Sequence, residues 1–262
     1  MSRALERLRA SLGDELLIRR NNDYELTPRA EQLRVRLQDI LPELDSAIQG
    51  ERFNPSQSRE HFRVVSTAYA SIVLVPQIVS RVNALAPLAV FDVEPWRDGS
   101  AADIDAGHSD LAIVGIDQTA AFEVETILED KLVCIVDRNH PLCGEPLTLE
   151  RYVRYPHVAI ALERGGQPWI DRPLQQRGLA RHIAFRSWCH TSAALALVDS
   201  PMIFTAGRRW WQRFERKDQY AVLVAPQEFE QFRYGMAWHR RKTSNAAHAW
   251  LRDIVRSVAA AL

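Results

Sequence analysis

The chain has 262 residues, 47% of them apolar, and its 33 basic and 33 acidic side chains leave no formal net charge. Such a chain can bury a large core in one or two domains plus an appendage, and its balanced charge creates no global field toward nucleic acid or membrane, so any such contact must be local. No run of about eighteen apolar residues is present to cross a bilayer, and the charged N-terminus lacks the apolar stretch of a signal peptide, which argues against export.

In chain order, Leu5, Leu8 and Leu12 recur at helical spacing while Arg3, Arg7 and Arg9 take other faces. This predicts a helix with one face seeking a core and another offering cations. Gly13 stops it and Asp14 forms the turn. The apolar run Leu16-Leu17-Ile18 ends in Arg19-Arg20, Asn21-Asn22-Asp23 favours a tight turn, and Tyr24-Glu25-Leu26 resumes the alternation. The two runs read as a small hairpin, a wing. Thr27-Pro28 opens a further helix, since threonine caps free amides and proline at the first position loses no hydrogen bond. That helix is expected to run to about Gln49 before Gly50, with Ala30, Leu33, Leu37, Ile40, Leu44 and Ala47 forming a seam for pairing with a second chain. Pro42 interrupts a straight coiled coil.

The polar stretch Asn54-Pro55-Ser56-Gln57-Ser58 reads as a linker. Beyond it, strands are expected at Phe62 to Val65, Val90 to Val93 and Leu111 to Val114, with a helix capped by Ser66-Thr67 and another over Ala102 to Ala106. From Leu132 the logic repeats, with strands at Val133 to Val136, His157 to Ala161, Ile183 to Phe185, Met202 to Thr205 and Ala221 to Val224. Helices are expected over Leu147 to Val153 and Ser192 to Asp199. A strand at Tyr234 to His239 and an amphipathic helix over Ala246 to Val258 close the chain. The alternation predicts an α/β fold of mainly parallel sheets with helices on both faces, in two lobes joined by two crossovers.

The segments SRALERLR from Ser2, GDELLIRR from Gly13 and LTPRAEQL from Leu26 resemble, in that order, the recognition helix, wing and linker-helix start of LysR-type transcriptional regulators. Asn139-His140-Pro141-Leu142, Glu145 to Arg151, Gly107 to Ile113, Trp238 to Arg241 and Ala249 to Arg252 resemble that family's effector domain, nearest its nodulation and salicylate-responsive branch. The resemblance implies a partial winged helix-turn-helix over 1–27, without the two helices that precede the recognition helix in the family, and a linker and dimerisation helix over 28–50. A hinge over 51–58 and a two-lobed, periplasmic-binding-protein-like (type 2) effector domain over 59–262 would follow, lobe I at about 59–133 and 235–262 and lobe II at about 134–234.

It further implies a regulator that binds promoter DNA as a homodimer or homotetramer and answers to a small aromatic or carboxylate inducer. Ser2, Arg3 and Arg7 would approach bases or phosphates from the recognition helix, while Arg19, Arg20 and Thr27 would hold the backbone at the wing. An inducer would lie between the lobes, at strand ends and helix N-termini. That points to Ser66, Thr67, Tyr69, Gly115 and Ile116 on one side and Trp188, His190, Thr191 and Thr205 on the other. His190 stands where the branch often has an apolar aromatic, and Ala206-Gly207 replaces the usual valine-proline, which leaves the ligand open.

No enzyme is expected. Cys189 and His190 adjoin, but neighbours in an extended strand point to opposite faces, and Arg164-Gly165-Gly166 lacks the Lys-Ser/Thr of a phosphate loop. No nucleophile, base and oxyanion donor assemble. The three cysteines, Cys134, Cys143 and Cys189, have no metal-ligand spacing, so neither metal nor cofactor is expected and a reduced cytoplasmic setting fits. Two alternatives remain at this level. One is a remnant that binds ligand or poisons dimers without binding DNA, because Leu5, Leu8 and Leu12 would lack helices to pack against. The other is a solute-binding transport protein of the same two-lobed fold.

Overall fold

The computed structural model describes residues 3–20, 23–34, 36–37, 53–115, 122–160, 167–229 and 231–262. They fall into two compact units, Met1–Arg52 and Phe53–Leu262. The pairing seam beyond Leu37, with Ile40, Pro42, Leu44 and Ala47, lies outside the described residues.

In the first unit, helix α1 spans Arg3–Leu12, and strands β1 (Leu17–Arg20) and β2 (Asp23–Leu26) pair antiparallel with Leu17 opposite Leu26. Gly13, at φ 62°, ends α1 in the left-handed conformation that glycine adopts at little steric expense. Leu16 also sits at φ 60°, and there the Asp14 carboxylate supports the turn by accepting from the Leu16 amide at 2.8 Å. The same carboxylate oxygen accepts from the Thr27 hydroxyl at 2.6 Å, while Thr27 Oγ1 accepts from the Ala30 amide at 3.1 Å to cap helix α2 (28–34 and 36–37). These bonds from Thr27 and Leu16 hold the Asp14 carboxyl below its ordinary range. The turn after α1 and the start of α2 are thus one hydrogen-bonded unit.

The second unit begins with β3 (His61–Ser66), α3 (Ala68–Val73), α4 (Val75–Leu85), β4 (Val90–Pro95), α5 (Ser100–Ala106), β5 (Leu111–Gly115) and β6 (Glu123–Asp130). It continues through β7 (Leu132–Asp137), α6 (Leu149–Tyr152), β8 (His157–Ile160), α7 (Pro168–Gln176), β9 (Ile183–Ser187), α8 (His190–Leu195), β10 (Ile203–Gly207), α9 (Arg208–Arg213) and β11 (Tyr220–Val224). It returns through β12 (Phe232–Trp238) and α10 (Ala246–Ala260). Two five-stranded sheets result, ordered β4-β3-β5-β12-β6 and β11-β7-β10-β8-β9, and each is the floor of one lobe. The chain changes sheet at Lys131 and again between β11 and β12.

The expected α/β class stands, but the sheets are mixed rather than mainly parallel. β3 runs parallel to β4 and β5, and β8 to β9 and β10, whereas β12 is antiparallel to β5 and β6, and β7 to β10 and β11. The antiparallel partners are the strands around the changes of sheet, which enter without the helical crossover that a parallel step needs. β5 is the expected apolar strand; Leu111 to Val114 are all buried, as suits a strand flanked on both sides. On α10, Leu251, Ile254, Val255 and Val258 are buried, and the Asn245 side chain caps the helix by accepting from the His248 amide at 2.8 Å. Each such fully buried large side chain contributes roughly 1.5–3 kcal/mol.

Three helices differ in their starts, α5 opening at Ser100 rather than Ala102. α6 begins two residues after the expected Leu147, because Thr148 is the residue whose hydroxyl accepts from a first-turn amide, that of Arg151, at 3.3 Å. α8 opens at His190 rather than Ser192 and ends at Leu195. The pair Cys189–His190 is therefore a cap and a first helical residue, not two residues of a strand.

Candidate functional site

The two lobes face each other across a cleft at the C-terminal ends of β3 and β10. Thr67 caps α3, its oxygen accepting from the Ala70 amide at 3.4 Å while its hydroxyl donates to the Tyr234 phenol at 3.0 Å. Tyr69, in the first turn of α3, stacks on Tyr234 with centroids 4.8 Å apart and meets Phe232 edge-on at 5.1 Å. Trp169 of α7 lies over the same Phe232 at 6.1 Å. These rings form an aromatic wall.

The opposite wall is polar. Thr205 of β10 exchanges a 2.8 Å hydrogen bond with the Tyr152 hydroxyl and has the Cys134 thiol 3.5 Å away. Burial pushes Cys134 up to about 12 and raises Tyr152 above the ordinary phenol range, so both stay protonated and neither is a nucleophile. His190, in the first turn of α8, is buried against Phe204 and Trp210 at 5.8 and 5.3 Å. Burial pushes it down to about 4, which keeps the ring neutral at pH 7. Its Nδ1 is buried without a hydrogen-bond partner. An unpartnered polar atom on a residue that lines the cleft is the kind of group a ligand satisfies.

Gln167, just before α7, completes that wall. Arg181 donates to Gln167 Oε1 at 3.1 Å and is itself clamped to Asp171 through bonds of 2.7 and 3.1 Å. A guanidinium can only donate, so the glutamine turns its oxygen toward Arg181, and its side chain is part of the cleft lining. Among the described residues lining the cavity none is lysine or arginine. The cavity is about 40 Å³, room for a few waters at roughly 10–15 Å³ each, whereas ligand pockets span about 300–1,000 Å³. At this volume the cavity has no room for an inducer-sized ligand.

Of the inducer residues expected from sequence, Thr67, Tyr69, His190 and Thr205 come together here. Ser66 is buried beside them, donating to the Thr67 carbonyl at 3.2 Å, and does not line the cavity. Gly115 pairs with Tyr234 at the end of β5 without lining it, and Ile116 lies outside the described residues. Trp188 is 78% exposed, so it belongs neither to the cleft nor to the core. Thr191 is exposed on the outer side of α8, one residue from His190 and on a different helical face. Gln167 was missed, because its place depends on Arg181, and no local motif signals that pair.

In the first unit Arg3, Arg7 and Arg19 are exposed, Ser2 lies outside the described residues, and Arg20 closes β1. Thr27 is buried with its hydroxyl committed to Asp14, a structural rather than a free group. No residue of α1 is buried, and Leu5, Leu8 and Leu12 line an apolar groove of about 550 Å³ with Leu16, Leu26 and Leu33. Among the described residues no helix is long and apolar enough to cross a membrane.

Residues 55–260 match a family model described as the LysR substrate binding domain. Nodulation protein D 1 of Bradyrhizobium sp. (strain NC92) is 30% identical over 263 residues, covering 99% of this chain and 84% of that protein. The HTH-type transcriptional activator NahR of Pseudomonas putida is 28% identical over 261 residues, covering 97% and 86%. A crystal structure from Vibrio parahaemolyticus, described as that of a transcriptional regulator, superposes with TM-score 0.70 at 28% identity over 80% of this chain and 98% of that one. CbnR, described as a LysR family transcriptional regulator, shares the fold with TM-score 0.61 at 16% identity over 97% and 89%.

Proposed function

The chain belongs to the LysR family of transcriptional regulators, and on that premise we propose that it controls transcription from promoter DNA, in the cytoplasm and without a catalytic step, when a small aromatic inducer enters the cleft between its lobes. The observation that carries this reading is the lining itself: Tyr69 stacked on Tyr234 with Phe232 edge-on to both, and in the same lining a neutral His190, whose Nδ1 has no partner, and Gln167. Flat apolar rings and a few placed polar atoms suit a ring bearing hydroxyl or carbonyl groups. With no lysine or arginine among the described lining residues, a free carboxylate would be desolvated without a counter-charge, which favours the uncharged ring.

DNA contact would come from the first unit, through the exposed Arg3, Arg7 and Arg19 together with Ser2 and Arg20, with Thr27 holding the wing to α2 rather than touching phosphate. Pairing of two copies is supported by exposed apolar residues on α4 and β4, such as Val79, Leu85 and Val90, and on β9 and α8, Phe185 and Leu195. Activation is the sense of regulation we propose, following the name of the Pseudomonas putida relative. The transport and DNA-deficient readings are not carried forward, since relatives of the regulator type align along 99% of the chain, the first fifty residues included.

The test is fluorescence anisotropy of labelled DNA from upstream of the chain's own gene, titrated with protein at several salt concentrations and with a panel of hydroxylated aromatics. Binding that weakens steeply with salt and changes with at least one aromatic supports the reading. Binding that ignores salt, or no binding at all, defeats it.

A further inference from the structure

We propose that Asp130 is the bolt of a latch that holds the two lobes together in this narrow form, so that an inducer-sized ligand must release it to enter. The inference rests on the reading of the cleft as the inducer site and concerns how that site is gated. Asp130 is the last residue of β6, directly before the change of sheet at Lys131, and it is buried. Its Oδ1 accepts from the Lys131 amide at 2.8 Å, which fixes the carboxylate against the hinge itself. Its Oδ2 accepts from the Tyr69 hydroxyl at 2.6 Å and from the Arg209 amide at 2.9 Å. Tyr69 belongs to α3, which follows β3 of one sheet, and Arg209 to the first turn of α9, which follows β10 of the other, so one carboxylate oxygen joins chain segments leaving both sheets beside the hinge. Three donors converge on this one carboxyl group, and burial shields the bonds from water.

Gly207 shows that the latch has no slack. A Cβ added there would lie 2.5 Å from Tyr69 Cε2, 2.7 Å from Asp130 Oδ2 and 2.7 Å from Phe232 Cζ. The residue just before α9 therefore has to be glycine for Tyr69 to reach Asp130. Tyr69 also lines the cleft, whose volume is about 40 Å³. Enlarging it to the scale of a ligand pocket, roughly 300 Å³ or more, means drawing the two lobes apart along the Tyr69–Asp130–Arg209 line. The ligand thus meets the latch as an opposing equilibrium, and its apparent affinity is reduced by the fraction of molecules already unlatched.

The experiment is hydrogen–deuterium exchange on the full chain, comparing the parent with Tyr69→Phe, which keeps the stacked ring and removes only the hydroxyl, and with Gly207→Ala, which wedges the contact. The latch predicts exchange about tenfold faster or more in peptides covering 67–73 and 205–211 in both variants, with β4 and the C-terminal half of α10 unchanged. Unaltered exchange in those peptides in both variants overturns it. So does an even rise across β3, β5, β8 and β10, because the hydroxyl would then serve overall stability rather than lobe contact. Should Gly207→Ala fail to fold, Tyr69→Phe alone decides. Neither DNA nor inducer is in the measurement, so failure of the regulator reading and failure of the latch register separately.

Discussion

Arg181 donates to Gln167 Oε1 at 3.1 Å from a side chain only 4% exposed, and this bond turns the glutamine's oxygen toward Arg181. On the proposed reading, a residue in the interior of one lobe thereby orients a polar side chain of the inducer cleft. Gln167→Leu is expected to weaken the response to an aromatic inducer about tenfold while leaving DNA affinity unchanged, as measured by inducer titration against bound promoter DNA. Arg181→Met is expected to lower the inducer response too, and in addition to destabilise the fold by about 2–4 kcal/mol in urea denaturation, because Asp171 loses its partner. If Gln167→Leu responds like the parent, the glutamine does not face the ligand.

Acid should weaken the effector domain through its buried histidines. Burial pushes His190 to about 4 and His157 to about 3, against roughly 6.5 for an unfolded histidine. Below about pH 6.5 the unfolded chain binds protons that the folded chain refuses, so stability is full above that value and is lost progressively as pH falls toward the folded values. Between pH 7 and pH 5 the loss from His190 alone is about 1–2 kcal/mol. His190→Met should flatten that part of the pH profile of the urea midpoint; a profile as steep as the parent's would show that His190 does not titrate this way.

Thr67 performs two tasks, capping α3 and binding Tyr234. Thr67→Ala should destabilise the second unit by about 1–2 kcal/mol, and Thr67→Ser should restore most of it. Thermal unfolding of the three proteins checks this, and equal midpoints for alanine and threonine would show that the cap contributes nothing.

Much of this was legible in local pattern, and what was not depends on distance along the chain. The Leu111–Gly115 strand declares itself as an unbroken apolar run, and Thr67 announces its cap by preceding a helical pattern. By contrast β6 is hidden behind Glu123, Glu125, Glu129 and Asp130, because an edge strand tolerates the charges that alternation rules count against it. Strand direction left no local trace, so the antiparallel pairing of β12 with β5 and β6, and of β7 with β10 and β11, was not foreseen. In the site, capping and aromatic residues next to strand ends were readable, which is why Thr67, Tyr69, His190 and Thr205 were found. Trp188 misled because a tryptophan beside a strand suggests burial, whereas it sits in the turn between β9 and α8 with its ring in solvent. Gln167 and Asp130 act through partners about 14 and 61–79 positions away, separations that no spacing rule reads.

On DNA, the exposed Arg7 of α1 is expected to neutralise a phosphate. Arg7→Ala should weaken binding across sequences alike and make the plot of log affinity against log salt shallower by about one unit. A loss confined to one sequence would instead assign Arg7 to a base edge.

The most direct measurement is the anisotropy titration of the chain's own upstream DNA with and without hydroxylated aromatics, run side by side on the parent and on His190→Leu, which removes the imidazole and its unpartnered Nδ1. The account predicts salt-sensitive binding by both proteins and a shift on adding an aromatic inducer in the parent only. An equal inducer shift in His190→Leu, or binding in neither protein, would contradict it.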